Sequence, residues 1–295
     1  MSLENSMMKT RPNRPGIASL ENEQVRLDYF TNTGPRIVGL YVRGSDKNLL
    51  AETPDVHWET PHGEYYLHGG HRLWTAPEDP FYTCPENDLE VVEENGQVVL
   101  SSPKDVSGLQ KEITIQLETN CVHLSHRVTW HGGRSMTLAP WAITQLQLGG
   151  MAILPFTKVA GLLPDRNLVL WPYASIKDER FELHDELILL HGRSSAQAFK
   201  IGNFNSQGWI ACALGNTLFI KHFTADIEES YPDRGCNVEA YVKDSCIELE
   251  TLGPLKTLKP GDSTCFEETW EVLTGNYPST LEGARNIKKQ LSKKS

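Results

Sequence analysis

Apolar and polar residues alternate with a period of two along most of this chain, the pattern of strands with one buried face. Lys111–Glu118 puts Ile113, Ile115 and Leu117 on one side. Val122–Trp130 puts Val122, Leu124, His126, Val128 and Trp130 on one side and His123, Ser125, Arg127 and Thr129 on the other. Arg36–Val42, Cys246–Thr251 and Glu267–Leu273 are further β-runs. Two hairpins are expected. Val91–Leu100 turns at Asn95-Gly96, a pair suited to a type I′ turn, and Trp209–Leu214 joins Thr217–His222 through Gly215-Asn216. No helical period separates the runs, so βαβ units are not expected. One helix is predicted at the end. Ser279-x-x-Glu282 reads as its capping box, and Leu281, Ala284, Ile287 and Leu291 form an apolar stripe. Lys288, Lys289, Lys293 and Lys294 suit its C-terminal end. Met1–Gly16 reads as a disordered leader and residues 17–295 as one all-β domain.

Composition narrows the class. The 295 residues are 39% hydrophobic and 22% charged, which is globular. The 28 Lys and Arg against 38 Asp and Glu leave a formal net charge of −10, which argues against a nucleic-acid partner. The most apolar run, Met151–Leu163, is interrupted by Pro155 and Lys158 and is too short for a bilayer, so no membrane partner is expected. No signal-peptide pattern follows the first cations. The six cysteines have no metal-ligand spacing and read as free thiols, which points to a cytoplasmic protein without a metal. No P-loop, GxGxxG or GxSxG is present, so no nucleotide cofactor or hydrolase triad is expected. The 7 Trp, 9 Tyr, 23 Gly and 17 Pro suit a β-protein with a polar-ligand cleft.

Three clusters could carry chemistry. His57, His62, His68 and His71 fall in one stretch, whose centre is Leu67-His-Gly-Gly-His-Arg-Leu-Trp74. Gly69-Gly70 would let a ligand approach the backbone, His68 and His71 offer groups that titrate near neutrality, Arg72 offers a donor fork and Trp74 a plate for a sugar ring. The same residues could instead satisfy carbonyls in a loop. Glu248 and Glu250 stand two apart, so in a strand they share one face, either a cleft or a solvated surface. Asn237 and Glu239 have the same spacing, and a hairpin would bring all four together. Trp141 is a second plate or a core residue, and Lys200 and Lys221 are expected to be exposed.

Taken together these segments resemble the galactose mutarotase-like superfamily, which includes aldose 1-epimerases, and more closely an uncharacterised bacterial branch. The carriers are Gly34-Pro-Arg-Ile37, Gly69-Gly-His-Arg-Leu-Trp74, Pro77-Glu78, Tyr231-Pro-Asp-Arg-Gly-Cys-Asn-Val-Glu239, Glu250-Thr-Leu-Gly-Pro-Leu255, Pro260-Gly261 and Glu268-Thr-Trp270. The resemblance implies an antiparallel β-supersandwich with a sugar-sized cleft. It implies Glu250, in Leu249-Glu-Thr251, as catalytic base, His68 or His71 as acid, and Arg36, Arg72 and Trp74 as residues that position the ring. Trp141, Asn237, Glu239 and Glu248 complete the expected substrate site. No histidine stands near Trp141–Gln145, where the superfamily has its second one. The expected function is interconversion of sugar anomers without cofactor by a monomer or homodimer. The alternatives are a non-catalytic carbohydrate-binding protein, and a lyase or isomerase in which Arg36 and Arg72 read an acidic sugar.

Overall fold

The computed structural model describes residues 9–10, 16–86, 88–94, 96–157, 161–162 and 164–292. Two large antiparallel sheets face each other across an apolar core. In the first, the strands run in spatial order Ile17–Glu21, Val25–Phe30, Arg36–Val42, His71–Ala76, Met136–Leu146, Ile247–Leu252, Val238–Val242, Phe199–Asn203 and Val169–Leu170. The second is centred on Gly215–Phe223, Ser263–Tyr277, Val122–Trp130 and Leu109–Leu117. A separate hairpin, Glu52–Thr60 with Gly63–Gly69, leans against the first sheet. The all-β sandwich expected from the alternation is present, and no described helix is long and apolar enough to cross a membrane.

Alternation places the core as expected. In the second sheet Ile113, Ile115, Val122, Leu124 and Val128 are buried while their neighbours are only partly covered or exposed. The central strands of the first sheet differ. His71–Ala76 and Ile247–Leu252 are buried at every position, so both of their faces are covered. One face meets the second sheet, and the other forms the floor of the site.

Several local expectations change. Glu94 opposes Gln97, as a two-residue loop requires, although Asn95 lies outside the described residues. The C-terminal helix is Leu281–Leu291, and its N-cap is Thr280, whose hydroxyl accepts from Gly283 N at 3.1 Å; Ser279 is one residue too early. Ala284, Ile287 and Leu291 are buried against Ile153, Leu189, Trp209 and Ile220 on the outer side of the second sheet, as the stripe predicts. Lys293 and Lys294 lie outside the described residues, as does most of Met1–Gly16, although Lys9–Thr10 pairs with Ala18 and Ser19. In the Met151–Leu163 run, residues 158–160 and 163 also lie outside.

Candidate active site on the first sheet

Directly opposed residues in antiparallel strands point to the same face. Arg36 opposes Arg72, which opposes Ile143, which opposes Glu250, which opposes Glu239. One row therefore crosses five strands on one face. A parallel row runs Trp74, Trp141 and Leu252. Glu248 opposes Gln145 and Tyr241, and Tyr241 opposes Lys200. The hairpin expected between the Glu239 and Glu250 strands forms, and it brings the two carboxyls side by side.

Two ion-pair groups occupy this face. Lys200 Nζ lies 2.7 Å from Glu239 and 2.8 Å from Glu250 Oε2. Trp141 Nε1 also donates to Glu250 Oε2 at 2.8 Å. Across the floor Arg72 Nη2 donates to Glu248 Oε1 at 3.3 Å. The indoles cover the cations: Arg72 sits 4.2 Å above Trp74, and Lys200 sits 4.5 Å from the rings of both Trp141 and Trp171. Trp74 and Trp141 meet edge to face at 5.6 Å, and Trp58 of the separate hairpin meets Trp74 at 6.4 Å.

Burial drives the electrostatics. It pushes the Glu239 carboxyl well above the usual carboxylate range, against the pull of Lys200. Burial likewise raises Glu248, with Arg72 opposing and Glu250 assisting. Burial disfavours the charge on Lys200, but Glu239 and Glu250 outweigh it and hold its pKa above the ordinary value. Several buried polar atoms on this face have no hydrogen-bond partner among the described residues: Arg36 Nε, Arg72 Nε and Nη1, Trp74 Nε1, Glu239 Oε1 and Glu250 Oε1. Native interiors rarely leave such atoms unpaired unless a ligand or water meets them.

The structure corrects four of the expected site residues. His71 points to the opposite face, into the core, because it precedes Arg72 in the strand. Its ring is consumed by Thr144 and His126, so it cannot protonate a sugar beside Glu250. His68 sits at φ 57 on the separate hairpin, packed edge-on against Phe30 at 5.3 Å, and lines a groove with Tyr65, Tyr66 and Glu86 instead. Arg36 is wholly buried and spends both terminal nitrogens on Glu86, Tyr65 Oη and Gly69 O, so its fork is held by the protein, and its Nε alone has no partner among the described residues. Asn237 spends both ends of its amide on the backbone of Asn205, a structural lock. Gly69 and Gly70 serve the chain's own backbone rather than a ligand: a Cβ there would fall 2.1 Å from Ala51 O and 2.1 Å from Ile37 O.

Lys200 and Lys221, expected at the surface, are both buried. Lys221 lies in the core, 2.8 Å from Glu268 and 2.9 Å from Thr251 Oγ1. The donor atoms of His71, His126 and Glu268 cluster there within 4.8 Å, and the Lys221 ammonium supplies the cation of that cluster. Trp171 meets Lys200, and Tyr241 opposes Glu248 and Lys200, on the same face, and the sequence alone did not single them out as site residues. Glu78 feels the charges of Lys200, Glu250 and Arg72, and Tyr173 those of Lys200, Glu250 and Glu78.

Neither a family sequence profile nor a curated protein matches the chain. Its fold does match solved structures. A galactose mutarotase-like protein from Lactobacillus casei ATCC 334 superposes with a TM-score of 0.53 at 11% identity, over 88% of this chain and 100% of that one. A "putative aldose 1-epimerase" from Klebsiella pneumoniae gives 0.57 at 11% identity, over 94% and 83%. A galactose mutarotase related enzyme from Lactobacillus acidophilus gives 0.50 at 11% identity, over 90% and 100%. The chain therefore has the galactose mutarotase-like fold, the architecture that its motifs resemble.

Proposed function

We propose that this face binds a carbohydrate and interconverts its anomers, with Glu250 as the base. The observation that carries the reading is the set of unpartnered buried polar atoms on Arg72, Trp74, Glu239 and Glu250, framed by tryptophans. Sugar hydroxyls both donate and accept, and they fit such a mixed set. Lys200 and Trp141 occupy Oε2 of Glu250 and leave Oε1 to take the proton from the anomeric hydroxyl. No imidazole of the expected pair faces the ring, so the acid is reassigned. Glu248 leaves the same strand about 7 Å along from Glu250, close to the width of a pyranose. Burial raises its pKa, which suits a carboxyl that delivers a proton to the ring oxygen. The ring then opens, the C1–C2 bond rotates, and closure on the other face reverses the two transfers.

The test is anomer equilibration of fresh α-sugars by NMR with Glu250→Gln and Glu248→Gln. Unchanged equilibration in E250Q would sink the assignment. A second reading, carbohydrate binding without catalysis, is favoured by the complete burial of Glu250 beneath its ion pair. Calorimetric binding without accelerated equilibration selects it.

A further inference from the structure

We infer that Glu118, Cys121 and His123, at the tip of the hairpin formed by Leu109–Leu117 and Val122–Trp130, bind one zinc-type divalent metal ion. The site lies on the second sheet, away from the carbohydrate face, and does not depend on that reading.

The hairpin register brings the three donors together. Leu117 opposes Val122, and Glu118 N donates to Cys121 O at 3.0 Å, so Thr119 and Asn120 make the turn. Leu117 and Val122 pack on the core. By alternation Glu118, Cys121 and His123 share the opposite, outer face. The spacing of the cysteines gave no sign of a metal, because this set takes a single thiol and is completed across a turn. The turn is also held in place. Asn22 Nδ2 donates to Glu118 O, and Gln24 Nε2 donates to Asn120 Oδ1 at 3.1 Å.

The separations are those of a metal's ligands. His123 Nε2 lies 3.2 Å from Glu118 Oε1 and 3.4 Å from Cys121 Sγ, and that sulfur lies 3.8 Å from Glu118 Oε2. A tetrahedral zinc, bonded at about 2.3 Å to sulfur and about 2.0 Å to nitrogen and oxygen, spaces such ligands about 3.3–3.6 Å apart. An ion pair between Glu118 and His123 does not account for the thiol, which approaches the same Nε2. The other ring nitrogen, Nδ1, lies 2.9 Å from Thr269 Oγ1. A hydrogen on Nδ1 directed at that oxygen turns the Nε2 lone pair toward the thiol and the carboxylate, the outer contact usual for a metal-bound imidazole. The buried cluster of His71, His126 and Glu268 has its cation in Lys221. Among the described residues no lysine or arginine pairs with Glu118. Thiol and imidazole select zinc over calcium and magnesium, which take oxygen ligands. Three protein ligands leave one tetrahedral position. Glu118 and His123 line a groove of about 520 Å³, so that position is open to water or to the donor of a small ligand.

The experiment is titration of the reduced full chain with cobalt(II) chloride, followed by zinc chloride. Cobalt in this donor set should show thiolate-to-metal charge transfer in the near ultraviolet and intense tetrahedral d–d bands in the red, saturating at a single ion per chain. Zinc should displace it, and calcium or magnesium at the same concentration should not. Cys121→Ser should abolish the charge-transfer band, whereas Cys265→Ser, at the exposed cysteine, should leave it unchanged. His123→Gln should weaken binding by about tenfold or more. Thr269→Val should weaken it about tenfold with the band retained, as a positioning residue would. If Cys121→Ser fails to fold, Glu118→Gln at its exposed position answers instead, with a loss of about tenfold or more. The inference is overturned if the unmodified chain gives no charge-transfer band, if the band survives Cys121→Ser or is lost in Cys265→Ser, or if calcium displaces the cobalt.

Discussion

His71 Nε2 lies 2.8 Å from His126 Nε2 in the core between the two sheets. The surrounding groups fix every proton. Phe266 O, 3.2 Å from His126 Nδ1, can only accept, so Nδ1 carries the hydrogen. Neutral His126 then accepts at Nε2 from His71, and His71 accepts at Nδ1 from the Thr144 hydroxyl 2.9 Å away. Burial, then the Lys221 charge, push His126 down to about 3; burial and His126 push His71 well below the usual range. Both imidazoles should therefore stay neutral by NMR between pH 8 and 5. The unfolded chain binds protons below about pH 6.5 that the native state refuses, so this pair removes stability as pH falls through that point. Buried Glu239, Glu248 and Glu268, whose pKa values are raised, act in the opposite direction, so the informative quantity is a difference. Between pH 6 and 4 the wild type should lose up to ~1.4 kcal/mol more per pH unit than His126→Gln. Parallel curves in chemical denaturation would refute the tautomer scheme.

Glu250 is held from behind. Its strand neighbours are Leu249 and Thr251, and Lys221 from the opposite sheet donates to Leu249 O at 3.4 Å and to Thr251 Oγ1 at 2.9 Å. The charge of Lys221 is met by Glu268, which Trp270 Nε1 also supports at 3.0 Å. Lys221→Met strands a wholly buried carboxylate and should cost about 3–5 kcal/mol by urea denaturation. Lys221→Met with Glu268→Leu removes both charges and should recover most of it. A single-variant loss below about 1 kcal/mol would show that Glu268 is already neutral.

How much of this was legible follows from what alternation can see. It located the strands, and parity put Glu248 and Glu250 on one face because side chains alternate without exception in a regular strand. Parity also separates His71 from Arg72, but the cluster of histidines and glycines drew them into one site. The role of Gly69 and Gly70 depended on Ala51, just before the strand Glu52–Thr60, and on Ile37 of another strand, which leave no local trace. Lys200 stands between Phe199 and Ile201 in an apolar strand, which was a signal for burial. Its partners, about 40 and 50 residues away, could only be found through the register of three strands.

Two glycines separate backbone freedom from space. Gly70 and Gly44 have similar φ, 74° and 80°. A Cβ at Gly70 meets a backbone oxygen at 2.1 Å, while nothing lies within 4 Å of one at Gly44. Gly44→Ala should cost about 1–2 kcal/mol, the penalty of the left-handed region alone. Gly70→Ala must also push neighbouring strands apart next to Arg72, and should cost about 4 kcal/mol or more in thermal or urea unfolding. Equal costs would mean that the turn relaxes freely and that Gly70 is chosen only for its φ.

Lys200 is the residue on which the site's charge balance turns. Among the described residues it alone bridges the carboxyls of Glu239 and Glu250, and all three are buried. Lys200→Met leaves two carboxyls side by side in the same desolvated floor, and like charges at that distance do not both stay ionised. Glu239, already raised by burial, then rises further because the pull of Lys200 is gone. A carboxyl with a raised native pKa gives stability that is complete below its unfolded value near 4.5 and is lost as pH climbs through the native one. The variant's penalty should therefore grow from pH 5 to pH 8, reaching about 3–5 kcal/mol. Denaturation curves at the two pH values check the sign. A penalty that is constant with pH, or larger at pH 5, would show that Lys200 contributes packing against Trp141 and Trp171 rather than charge.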